Sequence, residues 1–252
     1  MIKLVKNTLI ASPLYFPIRQ LHQRLFWRFS KSIRYDFETH LVMRRVLRKD
    51  SNCIDVGCYH GGVLREMLRL APNGTHYAFE PIPELYRKLT SQFPKMKIFN
   101  LALSDTKGEA TFYDVVSSRG LSGFKKRNLQ QTEVVSQIMV QTDTLDHVIP
   151  NDICVDFIKI DVEGAEMFVI KGAISTISKS KPTIVFEHGF GGADYFGASP
   201  EDIYDLLAKE CGLHISLMKN WLSNEPSLSR QEFADQFYEH LNYYFMAHER
   251  SS

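Results

Sequence analysis

From residue 52 onward the chain changes rhythm. Short unbroken apolar runs alternate with stretches whose apolar residues recur every three or four positions. The runs predict buried strands over 52–56, 75–80, 97–103, 155–160 and 183–187, because a strand covered on both faces loses its polar alternation. Helical spacing predicts helices over 63–70, 83–93 and 165–177. In the last of these, Met167, Ile170, Ile174 and Ile177 fall on one face. Ser199-Pro200-Glu201-Asp202 reads as a helix start, with a serine cap, a proline in the first turn and acids at the positive end. Ser229 and Glu232 have capping-box spacing. Residues 213–218 and 242–247 read as two final strands. Residues 109–116 and 136–141 interrupt the alternation as half-buried strands. They flank the polar stretch 117–131, which reads either as a mobile loop over a site or as a plain surface insertion. Strands alternating with helices imply a doubly wound α/β domain on a largely parallel sheet.

Composition narrows this only modestly. The 252 residues suit one large domain, and 44% hydrophobic with 23% charged residues excludes a disordered chain. A formal net charge of +1 supplies no global field for nucleic acid. The four cysteines form no CxxC pair, and no zinc-type spacing occurs. Cys53 and Cys154 lie in apolar runs and read as small core residues. Scattered thiols fit a reducing compartment, so a cytoplasmic location is expected.

The first 35 residues stand apart. They carry Lys3, Lys6, Arg19, Arg24, Arg28, Lys31 and Arg34 and no acid. Pro13 and Pro17 break the region, and no apolar run reaches the ~20 residues of a membrane span. Residues 1–35 therefore read as a basic helical extension to a domain over 36–252. It either covers an edge of the domain or docks on anionic lipid through Leu14, Tyr15, Phe16, Leu25, Phe26 and Trp27.

The strongest local signal is Asp55-Val56-Gly57-Cys58-Tyr59-His60-Gly61-Gly62, between a predicted strand and a predicted helix. Gly57 permits a sharp turn and Gly61 a close approach to a ligand. A dinucleotide fingerprint needs glycine where Tyr59 stands. The D-x-G-x-x-x-G spacing instead suits S-adenosylmethionine, which has no pyrophosphate to cradle. Glu80 ends the second predicted strand, where a carboxylate accepts hydrogen bonds from ribose hydroxyls. Asp55 is expected to hold the amino-acid part of the cofactor. Ser104, after the third strand, is expected near the adenine.

These residues resemble the FkbM family of methyltransferases over roughly 36–248. The resemblance rests on Asp36-Phe37-Glu38, DVGCYHGG at 55–62, AFEP at 78–81, NLALS at 100–104 and Thr144-Leu145-Asp146. It rests further on KIDVEGAE at 159–166, the most specific run, and on Glu187-His188-Gly189. Cys58 departs from the family's usual small residue. The resemblance implies the Rossmann-like class I methyltransferase fold, with seven strands and the last antiparallel. It also implies S-adenosylmethionine as donor and O-methylation, commonly of a sugar hydroxyl in a glycan, glycolipid or natural product.

Ligands of open α/β sheets sit beyond the carboxyl ends of the strands. That rule gathers the Gly57 turn, Glu80, Asp161, Glu163, Glu187 and His188 around one crevice. A sugar hydroxyl needs a base, and Asp161 and His188 are the candidates. Asp161 also faces the cofactor, and Glu163 would raise its pKa as a neighbouring like charge. Lys159 is expected half-buried on a carboxylate. No metal site is assigned, although Asp161, Glu163 and Glu187 are oxygen donors of the kind Mg²⁺ accepts. Phe190, Tyr195 and Phe196 form either a sugar platform or ordinary packing. Competing readings are methylation of another small molecule or a protein nitrogen, and a binding module without turnover. A nicotinamide oxidoreductase is disfavoured by Tyr59. A nucleic-acid methyltransferase is disfavoured by the missing Asn-Pro-Pro-Tyr type motif.

Overall fold

The computed structural model describes residues 31–126 and 133–249. They begin with helix α1 (Lys31–Val46). Two strand–helix steps follow: β1 (Cys53–Val56), α2 (Gly62–Leu70), β2 (His76–Phe79), α3 (Pro83–Gln92) and β3 (Lys97–Phe99). The chain then forms β4 (Ala102–Leu103), β5 (Gly108–Val115) and β6 (Val135–Asp143), a separate three-stranded sheet in the order β4-β6-β5. Alternation resumes with α4 (Leu145–Val148), β7 (Phe157–Ile160), α5 (Glu166–Lys171), α6 (Ile174–Ser180) and β8 (Thr183–Glu187). It ends with α7 (Pro200–Asp205), β9 (His214–Ser216), α8 (Met218–Leu222), α9 (Arg230–Tyr238) and β10 (Tyr244–His248). The main sheet has seven strands in the order β3-β2-β1-β7-β8-β10-β9. The first five run parallel, and β10 is antiparallel to both its neighbours.

The pleat divides the core. Ile54, Ile158, Ile160, Ile184, Phe186 and Phe245 join one apolar cluster with Ile170, Ile177 and Phe233 from the helices. The intervening residues Cys53, Phe157, Val185 and Met246 join another with Val42, Met43, Leu64 and Met67. Successive side chains of each central strand thus bury on opposite faces, which is why β1, β2 and β7 show no polar alternation.

Several expected elements are revised. The 97–103 strand splits at Asn100, whose side-chain amide donates to the carbonyls of Glu80 and Pro81 (2.9 Å each) and draws the chain off the main sheet. The 165–177 helix breaks at Gly172. Its carbonyl is taken by the N–H of Asp146 (2.9 Å), and a side chain there would overlap the Ser104 carbonyl. The 213–218 strand stops at Ser216, and Met218 instead begins α8, packed on Thr39 of α1. Both serine caps form as expected, that of Ser229 as a full capping box. Cys154 is exposed rather than in the core, while Cys53, Cys58 and Cys211 are buried free thiols. Helix α1 runs across the expected border at residue 35. The Tyr35 ring is buried and its hydroxyl donates to Asn242 Oδ1 (2.8 Å), while Lys31 Nζ donates to the carbonyl of Leu241 (2.8 Å), so residues 31–35 pack with the domain. The rest of that expected extension, with its lipid-facing aromatics, lies outside the described residues. Among the described residues, no helix is long and apolar enough to cross a membrane.

The turn leaving β1 brings two central strands together. Gly57 has φ +79°, and a Cβ there would overlap the carbonyl oxygen of Asp161 just past β7. Gly57→Ala is expected to cost at least about 2 kcal/mol, from left-handed backbone plus the overlap. Thermal melting should show a drop on the order of 5 °C. An unchanged melting temperature would mean that the turn relaxes freely.

Candidate functional site

Two adjoining cavities open at the carboxyl ends of the parallel strands. The first is built on the turn after β1. Tyr59 also sits at positive φ (+48°), which aims its backbone N–H at Glu80 Oε2 (3.0 Å), while Ile82 N–H donates to Glu80 Oε1 (3.0 Å). Burial pushes the Glu80 carboxyl up to about 7, against the pull of these two donors. Val56, Gly57 and Tyr59 line one side of the cavity, and Leu101, Leu103 and Phe112 the other. Arg119, Gly120, Ser122 and Phe124 complete the wall, so the described part of the 117–131 stretch does cover a cavity. Residues 127–131 of it lie outside the described residues. Arg119 ties this cover down through Glu84 (2.5 Å) at the start of α3 and Asp114 (3.3 Å) on β5.

The second cavity, of about 360 Å³, lies between α1, the ends of β7 and β8, and the start of β10. Tyr35, Asp36, Glu187, Phe190, Tyr243 and Tyr244 contribute to its wall. Asp161 and Glu163 line both cavities. Asp161 Oδ2 accepts from Lys159 Nζ (2.8 Å) and from the hydroxyl of Tyr244 (2.6 Å). Burial alone would raise the Asp161 carboxyl. The Lys159 ammonium and these hydrogen bonds outweigh burial and hold it below the usual carboxylate range. Glu187 moves the other way, pushed well up by burial and by the charges of Asp161, Glu163 and Glu166.

Not every expected residue reaches a cavity. Gly57, Glu80, Asp161 and Glu163 do. Asp55 lines neither cavity. It is buried on β1 in register with Lys159, has no hydrogen-bond partner on either oxygen, and is pushed up to about 6 by burial. Gly61 lines neither cavity; a Cβ there would meet the Phe93 ring and a Leu89 methyl, so its missing side chain lets α2 and α3 pack closely. Ser104 also lines neither cavity, and its hydroxyl turns to Asp105 (3.3 Å). Its neighbour Leu103 lines the first cavity instead.

His188 corrects the crevice more sharply. Side chains alternate along a strand, so the residue after Glu187 points the other way. His188 is 1% exposed and stacks on Phe233 and Phe237, with centroids 5.9 and 5.0 Å away. Its Nε2 has no partner, and burial pulls its pKa down to about 4. Tyr244 was not among the expected residues, because its strand reads only as a final apolar run. Its hydroxyl becomes meaningful only once antiparallel pairing sets Tyr244 opposite Glu187.

The profile of the Methyltransferase FkbM domain matches residues 55–215, from the β1 turn to β9. The chain belongs to the FkbM methyltransferase family. Its donor is S-adenosylmethionine. Among relatives of this FkbM methyltransferase, the 2-O-methyltransferase NoeI of Sinorhizobium fredii (strain NBRC 101917 / NGR234) is 30% identical over 186 residues. The match takes in 64% of this chain and 74% of NoeI. The crystal structure of Methyltransferase FkbM from Methylobacillus flagellatus KT superposes with a TM-score of 0.50 at 13% identity. That match covers 80% of this chain but only 44% of the other, so it supports the fold and no more.

Burial of His188 makes the stability of the fold depend on pH. Its folded pKa lies below the ordinary ~6.5, so the native state resists protonation. Stability is then complete above about pH 6.5 and declines as pH falls toward 4, by about 3 kcal/mol from this residue. His188→Phe, which keeps a ring among the aromatics, is expected to flatten that acid loss in thermal melts and to leave methyl transfer intact. A variant that melts normally but no longer transfers methyl would return His188 to the chemistry.

Proposed function

We infer that this methyltransferase methylates a hydroxyl group of a sugar. The carrying observation is the wall shared by the two cavities: Asp161 and Glu163 face both, so donor and acceptor meet there. The first cavity fits the cofactor by its chemistry. Glu80 offers a buried carboxylate whose two oxygens are already held in place by backbone donors, suited to a pair of ribose hydroxyls. The apolar faces of Leu103, Phe112 and Phe124 suit a flat base. The second cavity offers carboxylates and tyrosines to a polyhydroxylated acceptor. O-methylation is supported by the relative named a 2-O-methyltransferase.

When bound, S-adenosylmethionine supplies a methyl group on a sulfonium, and the electron pair of the broken C–S bond stays on sulfur. The protein's share is alignment and proton handling. Lys159 and Tyr244 fix Asp161 so that the shared wall keeps one shape. Glu163 accepts the hydrogen bond of the acceptor hydroxyl and takes its proton as the O–C bond forms. The stretch tied down by Arg119 walls one side of the first cavity and limits the access of water to the methyl.

Calorimetric titration with S-adenosylhomocysteine, beside NADH, tests the donor site. The homocysteine compound should bind and NADH should not, and Glu80→Ala should weaken binding at least tenfold. Ribose hydroxyls donate, so they require ionised Glu80. Affinity should therefore rise as pH increases through about 7, and Glu80→Gln should remove that slope. No binding to folded protein would overturn the donor site. Methyl transfer to nitrogen alone in an acceptor screen would overturn the sugar hydroxyl.

A further inference from the structure

The acceptor cavity gathers more carboxylates than hydroxyl recognition needs. Asp161 at the end of β7, Glu163 in the following turn and Glu187 at the end of β8 each offer an oxygen, and these atoms lie within 4.8 Å of one another. All three belong to the wall of the second cavity. No Lys, Arg or His is among that cavity's described lining. One ammonium, Lys159, bonds Asp161 from the sheet side.

A second observation is independent of that cluster. Glu166 lines the same cavity and is 1% exposed. Its Oε1 accepts from the N–H groups of Val162 (3.0 Å) and Gly164 (3.1 Å), but its Oε2 is buried with no donor at all. Buried carboxylate oxygens ordinarily have partners, and leaving one without costs the full desolvation of that atom. Asp161, Glu163, Glu187 and Glu166, the last with an unsatisfied oxygen, form an all-oxygen donor set. That set suits a hard divalent cation, which takes carboxylate oxygens and keeps open positions for water or a ligand hydroxyl.

The geometry points to a divalent-cation site formed by Asp161, Glu163 and Glu187, with Glu166 behind them, that binds the acceptor's hydroxyl groups. This rests on the second cavity being the acceptor cavity. The ion would bind sugar oxygens as ligands and lower the pKa of the hydroxyl to be methylated. Glu163 binds the ion through one oxygen and keeps the other for the proton. Electron balance is unchanged: the hydroxyl oxygen supplies the new O–C bond, and sulfur keeps the pair from the old one.

The test is calorimetry on chelator-treated protein loaded with S-adenosylhomocysteine. MgCl₂, MnCl₂ and CaCl₂ are titrated separately into wild type, Glu187→Gln and Glu166→Gln. At least one cation should bind once per chain with a Kd below roughly 1 mM. Glu187→Gln should weaken it at least tenfold, and Glu166→Gln should weaken it measurably. Retained binding of the homocysteine compound shows that each variant is folded. No saturable cation binding, or binding that both variants leave unchanged, would overturn the site. If wild type fails to bind the homocysteine compound, the donor-site reading fails. If it binds that compound but no cation, only the cation site fails.

Discussion

A buried ammonium organises the centre of this protein. Lys159 lies on β7 in register with Asp55 of β1 and two residues before Asp161. A buried lysine is unfavourable unless it is paired, and here both acids oppose the effect of burial and keep it charged. The dependence runs both ways. Asp161 is held ionised by Lys159, whereas Glu187 and Glu166, one shell further out, are pushed toward neutrality. Because Asp161 is fixed by this pair and by Tyr244, it can serve as a rigid partition between two cavities.

The chain reaches that partition through unusual backbone. Gly57, Tyr59, Glu163 and Gly164 all have positive φ, and all lie at the cavities or next to them. At Gly164 a Cβ would overlap the backbone of Gly192, so the turn after β7 and the loop after β8 approach more closely than side chains permit. Strain of this kind persists only where surrounding structure fixes it. Here β1 and β7, each buried along its whole length, supply that support.

Features that depend on a short stretch of chain were legible in the sequence. The runs 155–160 and 183–187, the cap at Ser199 and the box at Ser229 need only local patterning. So does the glycine turn after β1. What was not legible depends on residues far apart in sequence. Asn100 ends β3 by bonding to Glu80 and Pro81, and Gly172 breaks a helix against Ser104. His188 reads as chemistry in the run Glu187-His188-Gly189, but strand alternation turns its ring into an aromatic pocket made by α9. Tyr244 carries no motif and reaches the site only through the pairing of β10 with β8.

The order in which the chain is laid down differs from the order in which the sheet is joined. β9 precedes β10 in sequence, yet its partner in the main sheet is β10, which also covers the open edge of β8. A nascent chain that has emerged only as far as residue 240 therefore has an exposed edge at β8 and nothing for β9 to pair with. It also has Asp161 without the Tyr244 hydroxyl. The last strand thus acts as a keystone. Completion of the site waits for β10, whereas the cofactor turn and Glu80 are laid down well before it.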